Sequence, residues 1–185
     1  MRKNIKSLMI VLVLAVAAII FITTTASTTQ SINVLGVAQT SISNSNAEVT
    51  LNAKEMNDYE NAVAAMINNV RVDNGLNAIA ADGLLNEVAT IRSQDLINRN
   101  YFSHYTPEGT NVFDVMRASG VSFRYAGENL AQSAPASVGT PEGFLNAWMN
   151  SPTHMANILR AQYTKIGVSM VEIDSRRVVT TVFTN

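Results

Sequence analysis

Trp148-Met149-Asn150-Ser151-Pro152-Thr153-His154-Met155-Ala156-Asn157-Ile158-Leu159 is the most telling stretch of this 185-residue chain. Ser151-Pro152 reads as a helix start, since serine caps free backbone N–H groups and the fixed φ of proline suits the first helical position. The short helix that follows carries His154. Thr140-Pro141-Glu142 opens the preceding helix in the same way, with an acid facing the positive end of the helix dipole. The only other histidine, His104, lies in Phe102-Ser103-His104-Tyr105-Thr106-Pro107-Glu108-Gly109, and Gly127-Glu128-Asn129 falls between the two. Two imidazoles and a carboxylate are enough to hold a metal or move a proton.

Outward from these segments the pattern is helical first and extended last. Asn52 with Glu55 forms a capping-box variant, and Tyr59, Val63, Met66, Ile67 and Val70 make a buried stripe that Gly75 closes. Asp82 caps a second helix running through Leu85, Val88, Ala89, Arg92, Leu96 and Ile97 to about Asn98, which delivers the chain to His104. A third helix is expected from Val112 to Ser119, ended by Gly120, and an extended stretch from Ser122 to Gln132 holds Glu128. Ile166–Ile173, a turn at Asp174-Ser175-Arg176, and Val178–Phe183 read as a β-hairpin. Phe144 and Trp148 are expected in the core, with the methionines beyond the leader as filler. The predicted class is an α+β layered domain around an antiparallel sheet.

The amino terminus belongs to export. Arg2, Lys3 and Lys6 precede an unbroken apolar run from Leu8 to Ile22, and Thr24-Thr25-Ala26 supplies small residues for cleavage. Residues 1–26 are read as a signal peptide, with an uncleaved anchor in the membrane as the alternative. Residues 27–52 are polar, with Glu48 the only charge, and read as a flexible linker. Residues 53–185 are the domain. The chain has no cysteine, so an exported form relies on its core rather than on disulfides. Without residues 1–26, ten basic residues face fourteen acidic ones; this mildly acidic balance with no basic run excludes nucleic acid as a partner class.

Asn68-Asn69-Val70-Arg71 to Gly75-Leu76, Asp82-Gly83-Leu84-Leu85, Phe102-Ser103-His104, Gly127-Glu128-Asn129-Leu130-Ala131, the Trp148–Leu159 stretch and Ile166-Gly167-Val168 occur in the order and spacing of a CAP domain. The chain thus resembles the short bacterial form of the CAP (SCP-like) superfamily, which takes in cysteine-rich secretory proteins, venom antigens and plant pathogenesis-related proteins. The resemblance implies a three-layer α-β-α sandwich with a central antiparallel sheet, secretion, and a large cleft. It places His104, His154 and Glu128 in that cleft; the second acid of the animal and plant branches falls on Ser151 here. Some members bind zinc or another divalent ion through the two histidines, and others bind sterols or fatty acids elsewhere on the domain.

Several roles follow for these residues. His104 and His154 are candidate metal ligands, with Glu128 either a third ligand or the general base for a metal-bound water. No H-E-x-x-H helix is present. Alternatively each histidine joins loop to loop structurally, with Glu128 as shared acceptor. Ser103, Asn129, Ser151 and Asn157 flank the cleft positions; Ser151 reads as a helix cap rather than a nucleophile, and the two amides as partners of backbone groups. Three function classes remain: a module binding an extracellular ligand, cell-envelope component or protein partner; a metal-assisted hydrolase of peptide or cell-wall bonds; and a lipid carrier.

Overall fold

The computed structural model describes residues 53–185, so the expected leader and linker lie outside the described residues. Helix α1 spans Asp58–Asp73, strand β1 Ala80–Ala81, helix α2 Gly83–Asn98 and helix α3 Val112–Ala118. Strand β2 (Ala126–Ser133) is followed by helices α4 (Pro141–Met149) and α5 (Pro152–Ile158), then strands β3 (Lys165–Ile173) and β4 (Arg176–Thr184). Among the described residues no helix is long and apolar enough to cross a membrane.

The sheet runs β1-β3-β4-β2. The β3–β4 hairpin and the β2–β4 pair are antiparallel, as expected, but β1 joins the edge in parallel, so the sheet is mixed. Two alanines give no alternation to read, which is why β1 escapes a sequence reading. Strand β4 is buried on both faces because helices cover both. Val182 and Val178 pack with residues of α2, whereas Val179 and Phe183 pack with Val63, Ile67, Phe144, Trp148 and Ile158 from α1, α4 and α5. This is the α-β-α sandwich. Gly167 allows the close approach of α2 to the sheet: a Cβ there would lie 2.6 Å from the Asn86 backbone nitrogen and closer still to the Leu85 carbonyl.

The start of α1 differs from expectation. The capping box is Asn57 with Glu60, not Asn52 with Glu55, and Asn52 lies outside the described residues. Tertiary contacts make the choice. Glu60 is fully buried, accepting from the Asn57 and Met170 backbone N–H groups and from Lys54 Nζ, while Glu55 is exposed. The Lys54 N–H donates to the Gly83 carbonyl and the Lys54 carbonyl accepts from Asn86 Nδ2, so both backbone groups are committed outside a helix.

Caps at Asp82 and Thr140 form as predicted, and Gly75 takes a φ of 73°. Ser151 occupies the cap position of α5 but makes no capping hydrogen bond; its hydroxyl lies 3.3 Å from that of Thr153. Trp148 and Phe144 are core residues, and Met116 is fully buried.

The sheet edges are closed by side chains. On β3, the Val168 N–H donates to Asn86 Oδ1 and the Met170 N–H to Glu60 Oε1. On β2, the Leu130 carbonyl accepts from Trp148 Nε1 and the Glu128 carbonyl from Asn157 Nδ2.

Candidate functional site

The site straddles edge strand β2. Successive residues of a strand point to opposite faces, so Glu128 turns toward α2 and Asn129 toward α5. Glu128 is 6% exposed, and both its carboxylate oxygens are engaged: Oε1 accepts from Arg92 Nε at 3.0 Å, and Oε2 lies 2.6 Å from His104 Nδ1. Arg92, 1% exposed on α2, is the hub of this half. It also donates to the Tyr101 hydroxyl and the Ser103 carbonyl, tying the loop that carries His104 to the helix below it. With Nδ1–H donating to the carboxylate, the imidazole lone pair is left on Nε2. A histidine oriented by a buried carboxylate in this way has its ring orientation fixed.

The other half is α5. Asn129, fully buried, donates through Nδ2 to the His154 carbonyl and accepts from Asn157 Nδ2, which also reaches the Glu128 carbonyl. These amides therefore bind β2 to α5 as backbone partners. Beneath α5 lies a second buried arginine, Arg71 of α1, which donates to the carbonyls of Asn77, Ile158, Arg160 and Tyr163. It thus satisfies the C-terminal carbonyls that a short helix leaves open. Gly127 keeps the seam tight: a Cβ there would lie 2.8 Å from Asn157 Oδ1 and nearer to the Tyr163 hydroxyl.

A cavity of about 320 Å³ opens at this seam, lined by His104, Tyr105, Asn111, Phe113, Gly127, Glu128 and Asn157 among others. Tyr105 forms its exposed rim. His154 is half-buried outside that lining, and burial followed by the charge of nearby His104 lowers its pKa below 6.5, favouring the neutral imidazole that binds metals. Ser103 sits on the loop beside His104, its Oγ accepting from the Tyr105 N–H. Ser151 is not in the cavity lining. Among the described residues no three His, Asp or Glu side chains converge as a metal cage. What the geometry offers a metal is the two imidazoles, with Glu128 behind His104 rather than beside it.

Sequence reasoning misses Arg92, because its place in the apolar stripe of α2 makes it look like part of the packing face. It also misses Asn111 and Phe113, whose part in the cavity depends on α3 packing beside β2.

The sequence model of the Cysteine-rich secretory protein family (CAP) matches residues 64–184. The Bacillus subtilis (strain 168) protein YkwD is 40% identical over 117 residues, which are 63% of this chain and 44% of YkwD. The membrane protein YlbC of the same organism is 32% identical over 60% of this chain and 31% of its own length. The chain thus spans less than half of these curated relatives. An extracellular SCP-domain protein from Bacillus anthracis is 31% identical with a TM-score of 0.60, over 69% of this chain and 40% of that one. An outer surface protein of Borrelia burgdorferi, at 23% identity and a TM-score of 0.62 over 68% of this chain and 90% of that one, shares the fold. With a family match across most of the described domain and the same sandwich in these structures, the chain belongs to the cysteine-rich secretory protein (CAP) family.

Proposed function

We propose that this CAP domain is a binding module working outside the cell, whose cleft takes an extracellular ligand, cell-envelope component or protein partner. His104 and His154 form a two-imidazole position for a divalent ion, zinc first, beside that cleft. The observation that carries this reading is the chain of contacts Arg92–Glu128–His104, which fixes one imidazole by its Nδ1 and leaves Nε2 for a ligand, near His154, whose protonated form burial and His104 disfavour. Zinc bound there would supply a Lewis acid with open positions for an oxygen donor of the ligand. The protein's own part is to fix the His104 ring through Glu128, to disfavour the protonated form of His154, and to present Tyr105 and Phe113 as an aromatic wall. The extracellular setting is supported by the related Bacillus anthracis protein, described as extracellular.

Binding is favoured over metal-assisted hydrolysis by one feature. Among the described residues Glu128 is the sole carboxylate lining the cavity, and its oxygens are committed to Arg92 and His104 rather than free to take a proton from water.

Calorimetric titration of the full chain with zinc near neutral pH tests the metal position. One-to-one binding that disappears in the His104→Ala/His154→Ala variant is expected. Absence of binding by the unaltered chain removes the metal from this reading and makes the histidine pair structural.

A further inference from the structure

Ten lysines and arginines fall within residues 53–185. Six of them reach carboxylates. Arg71 is spent on backbone carbonyls, and Arg176 on Gln132, Asn100 and the Tyr101 carbonyl. That leaves Arg124 and Arg160, neither of which meets a carboxylate among the described residues. Both are exposed, and both lean on the same ring: their guanidinium carbons lie 5.6 Å and 5.4 Å from the centroid of Tyr125. Arg160 also borders the Tyr163 ring at 5.8 Å.

The placement is unlike chance on a surface whose other cations are engaged. Thirteen acidic residues share this domain with the ten basic ones, yet the two without an acid stand together. Two like charges drawn to one aromatic ring create a local positive potential in an otherwise acidic molecule. The ring contact occupies no guanidinium N–H, and although Arg160 also reaches the Tyr163 hydroxyl, each guanidinium keeps further N–H donors of the kind that grips oxyanions. The position matters as much as the charge. Tyr125 directly precedes Ala126 and Gly127 of the cavity lining, and Arg160 follows Asn157 by three residues.

We propose that Arg124 and Arg160, gathered on Tyr125, form an anion subsite at the edge of the cleft, which receives the doubly negative end of a ligand. A phosphoryl group or a pair of carboxylates has the required charge. The subsite rests on the proposed cleft only for its neighbour; the arginine pair itself is independent of the histidines.

The test is titration of the purified full chain at low ionic strength with sodium pyrophosphate in one arm and sodium citrate in the other, followed through the arginine Nε–H resonances. Saturable binding that moves the Arg124 and Arg160 signals is expected. Arg124→Gln and Arg160→Gln should each weaken it about tenfold, and the pair together should abolish it. Tighter binding of pyrophosphate identifies a phosphoryl ligand, and tighter binding of citrate a carboxylate one. Arg99→Gln, which removes an exposed arginine paired with Glu108 and Asp95, should leave the affinity unchanged. His104→Ala/His154→Ala should retain anion binding even where zinc binding is lost, which separates this proposal from the metal reading. The proposal is overturned if neither anion saturates the protein, if Arg99→Gln weakens binding as much as the paired variants, or if the histidine variant alone abolishes it.

Discussion

The two buried arginines of this domain meet the same problem in opposite ways. Arg71, fully buried beneath α5, meets no carboxylate among the described residues; its charge is dispersed over four backbone carbonyls, and burial pulls its pKa down. Arg92, on the other side of the sheet, is neutralised by Glu128 and uses its remaining N–H groups on Tyr101 and Ser103. Each supports one half of the cleft. Arg71 fixes the end of the helix bearing His154 and Asn157, and Arg92 fixes the strand and loop bearing Glu128 and His104. The carbonyl solution is purely structural, because carbonyls do not titrate. The carboxylate solution passes the constraint on to an imidazole, where it sets which nitrogen is free.

This contrast has measurable consequences. Arg71→Met should be the most damaging change, leaving several buried carbonyls without donors and costing about 4 kcal/mol in a urea titration. No second substitution should restore it, since the orphaned groups belong to the backbone. Arg92→Met should cost about 3 kcal/mol, because it strands a buried carboxylate. Here adding Glu128→Gln should recover most of the loss by removing the stranded charge. Equal recovery in both backgrounds, or none in the second, would erase the distinction between the two arginines.

The smallest effect is a matter of titration. His154, on the Arg71 side, should titrate below 6.5 by NMR, for burial and the nearby His104 disfavour its protonated form. A depressed folded-state pKa means the unfolded chain binds the proton more readily. The contribution of His154 to stability is therefore full above about pH 6.5 and is lost as pH falls through its folded midpoint.

The sequence reveals these halves unequally. Local signals survive folding where the chain supplies its own partners: Thr140 and Asp82 cap their helices, and the hairpin forms where valine and isoleucine cluster before Asp174. They fail where distant residues decide. Asn52–Glu55 and Asn57–Glu60 are similar capping boxes on paper, and Met170, 110 residues from Glu60, selects the second. Arg71 is invisible as a support for the same reason, since three of its four carbonyl partners lie far along the chain, and the carboxylate that Arg92 holds is 36 residues away. His104 and Glu128 stand out because few other residues offer their chemistry, but nothing local says that the carboxylate faces an arginine as well as a histidine.

The side chains that close both sheet edges have a consequence for life at high concentration. Asn86 and Glu60 on one side, and Trp148 and Asn157 on the other, occupy backbone groups that would otherwise recruit a strand from a neighbouring molecule. Copies can therefore be crowded together, or strung in tandem on one polypeptide, without zippering into fibres along those protected stretches.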